Sequence, residues 1–176
     1  MRGRRTGVLA FVALLAIGGA RSEPESGARC SDLPEAVATK AAAIRDAALT
    51  RDYDALLALT DSADFSYSFG DDGGDPTVYW RALDMGGDDV PAAIAALLEM
   101  PCAVVDWGGP LNYVWPAAFE IPYSDLSEAE RAGLVALYQG MDIEYYYMDG
   151  PENGYYVGWR LVIDESGRWT YFIAGD

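Results

Sequence analysis

The chain has 176 residues, of which 28 are Asp or Glu, 12 are Lys or Arg and none is His, so its formal net charge is −16. A chain this acidic is repelled by the phosphates of DNA and RNA, which excludes nucleic acid as a favoured partner. The absence of histidine excludes Ser-His-Asp triads, Cys-His nucleophiles and His-based zinc sites, because imidazole supplies the base or the ligand in each.

Residues 1–22 have the pattern of a secretory signal peptide. Arg2, Arg4 and Arg5 precede an apolar run over residues 7–20, which is shorter than the roughly 20 residues that a membrane-spanning helix needs. An uncleaved anchor is the alternative that this pattern leaves open. The favoured prediction is an exported protein, periplasmic or secreted, with no membrane insertion after signal cleavage.

The chain that remains after cleavage is more acidic still and holds both cysteines. It has eight basic residues against 28 acidic ones, a net charge of −20. In an exported chain, Cys30 and Cys102 are most simply joined in one disulfide, and two separate thiols are the alternative. We predict a polar tether over residues 23–31 and a single α+β domain over residues 32–176, which is long enough to bury a hydrophobic core.

The domain is predicted to begin with two helices. Asp32 and Glu35 have the spacing of a capping box, and apolar residues recur at intervals of three and four, which predicts a helix over 33–49. Asp52 is placed to cap a second helix, since an Asp side chain accepts hydrogen bonds from the first free backbone N–H groups of a helix.

A strand and two further helices follow. Residues 64–69 alternate Phe or Tyr with Ser, the pattern of a strand with one buried face. Asp75 followed by Pro76 predicts the start of a third helix, and Asp89 begins a fourth helix over 90–99, which must stop before the next proline.

The loop "DDGGD" over residues 71–75 raises the question of a metal site. A calcium loop needs oxygen ligands at alternating positions and a bidentate carboxylate further along the chain, and this loop does not supply that pattern. The glycines allow a chain reversal with positive φ. We therefore predict a turn in which Asp75 caps the next helix, and no metal site.

The second half is predicted to be mainly strands. A hairpin is expected over residues 102–116, with its turn at 108–110, and Ser127 with Glu130 forms a capping box that begins a helix ending at Gly140. Three alternating segments separated by the turns "DGPENG" and "DESG" then predict a three-stranded antiparallel meander. They are residues 143–148, 155–163 and 168–174.

The element order predicts an α+β fold in which N-terminal helices pack on a curved antiparallel sheet of about six strands, ending in the meander. The segment "AAAIRDAALTRDYDALLALTDSADFSYSFG…VYWRAL" resembles the opening of the nuclear-transport-factor-two-like superfamily, which includes ketosteroid isomerase and the SnoaL cyclases. This resemblance implies a cone-like fold. The isomerase base would match Ser68 or Phe69, and neither can accept a proton. The segments "YVWP" and "WTYFIAGD" are similar to an uncharacterised group of small exported bacterial proteins.

Carboxylates are the catalytic groups that the composition leaves. A pair of them can do acid–base work if burial raises the pKa of one, and Asp106, Glu120 and Glu144 lie on or beside predicted strands. The alternative is that these acids are solvated, as most are in so acidic a chain. No catalytic residue is assigned and no cofactor is predicted.

Aromatic side chains are the stronger functional signal, because Tyr and Trp favour surfaces with one apolar and one wet side. The predicted meander carries Tyr145, Tyr147, Tyr155, Val157 and Trp159 on one face, and Tyr146 and Tyr156 on the other. Arg160, on this second face, is predicted either to pair with Glu144 or to clamp an anionic ligand. The candidate binding residues are Tyr113, Trp115, Glu144, Tyr146, Tyr156 and Arg160.

These signals favour a non-catalytic binding domain that takes an unidentified small molecule or protein partner through an aromatic pocket or sheet face. One alternative is a cone-fold lyase or isomerase that uses a carboxylate. Another is a structural, envelope-associated domain whose sheet edge pairs with a partner.

Overall fold

The computed structural model describes residues 27–60, 65–68, 74–150 and 154–173. Five α-helices and six β-strands lie in these ranges. The helices are α1 Glu35–Leu49, α2 Tyr53–Leu59, α3 Pro76–Gly86, α4 Val90–Leu98 and α5 Glu128–Leu137. The strands are β1 Ala103–Asp106, β2 Leu111–Trp115, β3 Tyr147–Met148, β4 Tyr155–Tyr156, β5 Arg160–Asp164 and β6 Trp169–Ile173. None of the helices in the described ranges combines the length and apolarity that crossing a membrane requires.

The strands form two antiparallel sheets, and the predicted α+β class is confirmed. The larger sheet has the order β1-β2-β5-β6, and the smaller one contains only β3 and β4. We predicted one sheet of about six strands, and the larger sheet has only four of the six described strands. The hairpin of β1 and β2 forms as predicted, with Ala103 opposite Val114 and Asp106 opposite Leu111. Strand β5 then pairs with both β2 and β6.

The predicted three-stranded meander is corrected at two points. Ile143–Tyr146 is a short 3-10 helix, begun by the Asp142 side chain, which accepts a hydrogen bond from the Glu144 N–H. The strand predicted over 155–163 is interrupted between β4 and β5 at Val157–Trp159. The smaller sheet is thereby separated from the larger one. The physical cause is a set of hydrogen bonds between tyrosine hydroxyls and the Trp159 backbone, described below.

Helix starts follow the predicted caps at four of five helices. The side chains of Asp52, Asp75 and Asp89 each accept a backbone N–H at the start of α2, α3 and α4. Ser127 and Glu130 form the predicted capping box at α5. Each cap supplies an oxygen to an N–H that has no partner within its helix.

The start of α1 differs from its prediction. Its N-terminal cap is Pro34, with no side-chain hydrogen bond, so the capping box expected between Asp32 and Glu35 does not form. Proline has a fixed φ suited to the entry of a helix but no side-chain oxygen. The helix therefore begins later than the expected residue 33.

The alternating segment around residue 65 packs as predicted but pairs only weakly. Phe65 and Tyr67 are buried, and Ser66 forms a single parallel bridge to Tyr171 of β6. Residues 64 and 69 lie outside the described residues. A second parallel bridge joins Thr60 to Trp169, so this part of the chain covers the outer strand of the larger sheet.

The main core lies between the helices and one face of the larger sheet. Trp80 of α3 is stacked on Trp169 of β6 at 5.9 Å between ring centroids, and both side chains are fully buried. The other face of the sheet carries a smaller apolar cluster. It consists of Val105, Val114 and Val162, with Phe119 and Tyr171 packed against it.

The described part of the predicted tether lies along the edge of β1. The Gly27 N–H donates to the Val104 carbonyl at 2.7 Å, and the Cys30 N–H donates to the Cys102 carbonyl at 2.8 Å. The predicted disulfide between Cys30 and Cys102 is confirmed, with a Cα–Cα distance of 5.4 Å. This N-terminal segment therefore covers the edge of β1 and is covalently joined to the residue that precedes this strand.

Candidate functional site

A cleft of about 700 Å³ lies where α3, α4 and the end of α5 meet the segments around Tyr146 and Trp159. We call it the cleft throughout. Four aromatic side chains line it, and they are Tyr79, Tyr138, Tyr146 and Trp159. Only Tyr146 of these was a predicted binding residue. The volume of the cleft lies in the range of small-molecule sites, so we take the cleft as the candidate functional site.

Small side chains on α4 create the space. Val90, Ile94 and Leu97 of this helix are buried in the core, whereas Ala92 and Ala96 line the cleft. The side chain of an alanine is a single methyl group and occupies little space beside the helix. This side of α4 therefore leaves room that larger side chains would fill. The larger apolar residues of α4 thus pack in the core, and its alanines line the cleft.

A closed set of hydrogen bonds, which we call the tyrosine network, holds the wall of the cleft. The Trp159 N–H donates to the Tyr138 hydroxyl at 2.7 Å, and the Tyr156 hydroxyl donates to the Trp159 carbonyl at 3.1 Å. The two hydroxyls are 2.7 Å apart. Because the proton of Tyr156 is used for the carbonyl, Tyr138 is the donor between them. All these buried polar groups are therefore satisfied.

Gly158 makes this network possible. A Cβ atom at residue 158 would lie 1.9 Å from the Tyr138 hydroxyl oxygen and 2.4 Å from that of Tyr156. Both distances are far below van der Waals contact, so the backbone passes the two hydroxyls only because residue 158 has no side chain. The same close approach interrupts the strand that the alternating sequence predicts.

The ring of Tyr146 extends the wall toward solvent. It is stacked on Tyr138 with 3.6 Å between centroids and 17° between planes, and the edge of Tyr145 packs against it at 5.6 Å. Tyr146 is half-buried, whereas Tyr145 is exposed. The stack gives the cleft a wall with a buried inner ring and a partly wet outer ring.

Burial sets the ionisation of these phenols. Burial raises the pKa of Tyr138 above the ordinary value. Tyr156 is more deeply buried, and its pKa is raised well above the ordinary value for the same reason. The pKa of Tyr146 is raised by burial first and then by the negative charge of Asp88. The phenols are neutral at physiological pH and offer ring faces and hydroxyls rather than charge.

The rim of the cleft carries two carboxylates with different partners. Asp89 caps α4 and accepts two hydrogen bonds from Arg51 at 2.8 and 2.9 Å, and this pairing lowers the pKa of Asp89. Asp88 is exposed, and no hydrogen bond or ion pair joins its carboxylate to another described residue. The rim therefore carries one negative charge that no described neighbour compensates.

The predicted binding residues do not form one site. Tyr146 lines the cleft, and Tyr156 supports it from behind through the tyrosine network. Tyr113 and Trp115 on β2 are each 3% exposed and belong to the main core. They are held there because their strand is paired on both sides.

Arg160 and Glu144 are also separate from the cleft. The Arg160 guanidinium lies over the rings of Phe119 and Tyr171, at 5.6 and 5.8 Å from their centroids, and its side chain is buried. Glu144 is exposed on the 3-10 helix. The predicted ion pair between them does not form, because the interruption of the strand at Gly158 removes the common face on which it was based.

The faces predicted for the other aromatics change for the same reason. Tyr147 and Trp159 are buried, whereas Tyr145 and Tyr155 are exposed, so they do not form one continuous surface. Tyr138 lies in the predicted helix that ends at Gly140 and was not a candidate binding residue, yet it lines the cleft and supplies the inner ring of its wall. Its position just before Gly140 is the one local signal that could have indicated an aromatic wall at the end of this helix.

The three candidate catalytic carboxylates lie on different elements, and none of them lines the cleft. Asp106 accepts the Gly108 N–H in the hairpin turn. Glu120 follows a short 3-10 helix, where burial raises its pKa. Within the described part of the chain, no group of three His, Cys, Asp or Glu side chains is placed to hold a metal ion. Asp75 caps α3 as predicted, and residues 71–73 lie outside the described residues.

Known proteins give no further guidance about the site. The chain matches no family model, no curated protein and no solved structure. The function is therefore argued from the cleft itself.

Proposed function

We propose that this chain is an exported, non-catalytic domain that binds a small molecule in the cleft. The observation that carries the proposal is the aromatic wall of the cleft, which the tyrosine network holds in place. A cleft of about 700 Å³ has the size of a small-molecule site. A wall that is already ordered loses little conformational entropy when a ligand binds, and this favours affinity.

Two titratable groups of the lining, Asp89 and Tyr138, are better suited to binding than to catalysis. Asp89 is engaged by Arg51 and by the start of α4, and the burial of Tyr138 keeps its phenol protonated. A general base must accept a proton near neutral pH, and neither group is suited to that task. The aromatic rings, by contrast, offer apolar area at a small cost in side-chain entropy.

The alternative of a protein partner added at a sheet edge receives less support. Residues beside Cys30 already pair with β1, and Thr60 and Ser66 already pair with β6. A strand that is covered along its edge offers few free backbone groups for another chain. The cleft is the better-formed surface for recognition.

Export is supported by the disulfide between Cys30 and Cys102, because disulfides persist in oxidising compartments such as the periplasm or the medium. Intact-mass measurement of the chain recovered from cell fractions tests this. We expect a species that lacks about the first 22 residues and carries no free thiol. A full-length, reduced species in the cytosol would contradict export.

Ligand-observed saturation-transfer NMR tests binding. The disulfide-bonded protein without its predicted signal is mixed with a panel of small aromatic and aliphatic compounds. We expect a subset to bind and to lose binding in Ala92→Trp, because Ala92 is exposed on α4 and lines the cleft. The matched control is Ala38→Trp on the exposed side of α1, which should bind as the unmodified protein does.

Two outcomes would overturn the proposal. One is that no compound in the panel binds. The other is that Ala92→Trp, correctly folded by circular dichroism, binds every compound as well as Ala38→Trp does, since binding would then lie outside the cleft.

A further inference from the structure

The charges that line the cleft have one sign. Among the described residues, its lining includes Asp88 and Asp89 but no Lys or Arg. Arg51 approaches Asp89 from outside the lining and compensates that charge. The carboxylate of Asp88 has no such partner among the described residues. An anionic ligand would therefore meet an uncompensated negative charge at the rim, and a cationic one would be attracted by it.

Helix ends add to this negative potential. Gly87 directly follows α3, and Leu137 is the last residue of α5, so two helix C-termini reach the cleft. Carbonyl groups at a helix C-terminus carry partial negative charge and favour a nearby cation. The start of α4 also lies here, but its first N–H groups are taken by the side chains of Asp84 and Asp89.

The aromatic wall suits a cation as well. The faces of aromatic rings carry partial negative charge and attract ammonium and guanidinium groups. The chain itself uses this interaction nearby, where the Arg81 guanidinium lies 4.1 Å from the centroid of the Tyr53 ring. Tyr146 is the partly wet ring of the wall, and both it and Asp88 line the cleft. A ligand with an apolar body and a charged nitrogen would match both the aromatic rings and the carboxylate of the lining.

From these placements we infer that the cleft selects organic cations, meaning amines or quaternary ammonium compounds with an apolar body, and that Asp88 is the residue that determines this preference. The inference rests on the proposed binding function and adds the class of ligand to it. The net charge of −16 acts in the same direction, since a negative protein raises the local concentration of cations.

Three probes of similar shape and different charge test the inference: benzylammonium, benzyl alcohol and benzoate. Their dissociation constants are measured by NMR titration at low salt and neutral pH. We expect benzylammonium to bind about tenfold more tightly than benzyl alcohol, and benzoate to bind more weakly than either. Raising the salt concentration should strongly weaken the binding of benzylammonium and have little effect on that of benzyl alcohol, since salt screens exposed charges.

Asp88→Asn locates the charge. It should lower the affinity for benzylammonium about fivefold and leave the affinity for benzyl alcohol unchanged. The matched control is Asp54→Asn, which removes the same charge from an exposed residue of α2 that does not line the cleft. This control should leave all three affinities close to those of the unmodified protein.

The outcomes separate this inference from the proposed function. Equal binding of benzylammonium and benzyl alcohol overturns the selectivity and leaves the binding function standing. An equal loss in Asp54→Asn and Asp88→Asn also overturns it, because net charge rather than Asp88 would then be responsible. If none of the three probes binds, the inference fails, and the wider compound panel with Ala92→Trp decides the binding function independently.

Discussion

The two hairpins of this protein have similar sequence signals and different structures. In the first, β1 and β2 pair over four residues around a turn at Gly108. In the second, β3 and β4 pair over only two residues. Both sequences are rich in apolar or aromatic residues, and both contain a turn with two glycines. Apolar residues on either side of a glycine-containing turn are thus a sufficient local signal for the first hairpin and not for the second.

The difference lies in what surrounds each hairpin. The first is a member of the larger sheet, with β5 on one side and the N-terminal segment on the other. The second is followed by Gly158 and Trp159, and the Trp159 backbone is hydrogen-bonded to the hydroxyls of Tyr138 and Tyr156 instead of to a neighbouring strand. A hairpin with local strand signals therefore extends only where its edge backbone groups have another strand as partner.

The largest effect is expected from the disulfide that fixes the segment beside the first hairpin. Replacing Cys30 and Cys102 by Ser together should lower the free energy of unfolding by about 4 kcal/mol, because it releases a loop that restricts the unfolded chain. Urea denaturation measures the change, and the unmodified protein with and without reductant is the control. A loss below about 1 kcal/mol would show that the disulfide does not stabilise this hairpin.

A substitution at Gly158 tests the second hairpin directly. Gly158→Ala should lower the free energy of unfolding by about 3 kcal/mol, because the added Cβ would overlap the hydroxyl of Tyr138. The matched control lies in the turn of the first hairpin. At Gly109 a Cβ would meet nothing within 4 Å and φ is not positive, so Gly109→Ala should be nearly neutral. Similar losses in both variants would contradict the difference between the hairpins.

The pH dependence of stability tests the ion pair that ties the first hairpin's N-terminal segment to α5. Arg29 binds the Glu130 carboxylate at 2.7 Å and, with Ser127, lowers its pKa from the ordinary 4.5 to about 2. The unfolded chain takes up this proton near pH 4.5, and the folded chain only near pH 2. Stability from Glu130 is therefore complete above pH 4.5 and is lost as the pH falls toward 2.

We expect this loss to be about 2 kcal/mol between pH 6 and pH 2. Glu130→Gln should be less stable than the unmodified protein at pH 6 and close to it at pH 2, as measured by urea denaturation at each pH. Other carboxylates titrate in both proteins and cancel in the comparison. A constant difference between the two proteins across this range would argue against the ion pair.

The smallest effect is expected from removing one hydroxyl of the tyrosine network. Tyr138→Phe leaves the buried N–H of Trp159 without its acceptor, which should cost about 1.5 kcal/mol. Tyr155→Phe is the control, because that side chain is 54% exposed. Thermal unfolding compares the two, and an equal melting temperature for both would show that the tyrosine network does not stabilise the second hairpin.

Much of the local structure could be predicted from sequence. Asp52, Asp75, Asp89 and Ser127 begin helices as predicted, because a cap and its N–H partner are only a few residues apart. The start of α1 is the exception, where Pro34 replaces the predicted capping box. The disulfide was predictable because the chain has two cysteines.

The cleft could be predicted only in part. Tyr146 was identified as a binding candidate because it is an aromatic residue on a predicted strand. Tyr113 and Trp115 were chosen by the same criterion and are core residues instead. Residue type and alternation do not distinguish an aromatic ring that lines a cleft from one that packs in the core. In both positions at least one side of the ring is buried.

The sequence by itself determined the acidic composition, the caps of four helices, the first hairpin and the pairing of Cys30 with Cys102, since each of these depends on residue counts or on neighbours along the chain. Only the tertiary structure decided the division into two sheets and the existence of the cleft. The tyrosine network joins residues 21 positions apart in sequence, and its position depends on how α5 packs beside α4. Contacts of that kind have no local signature, because they form between side chains that the completed fold brings together.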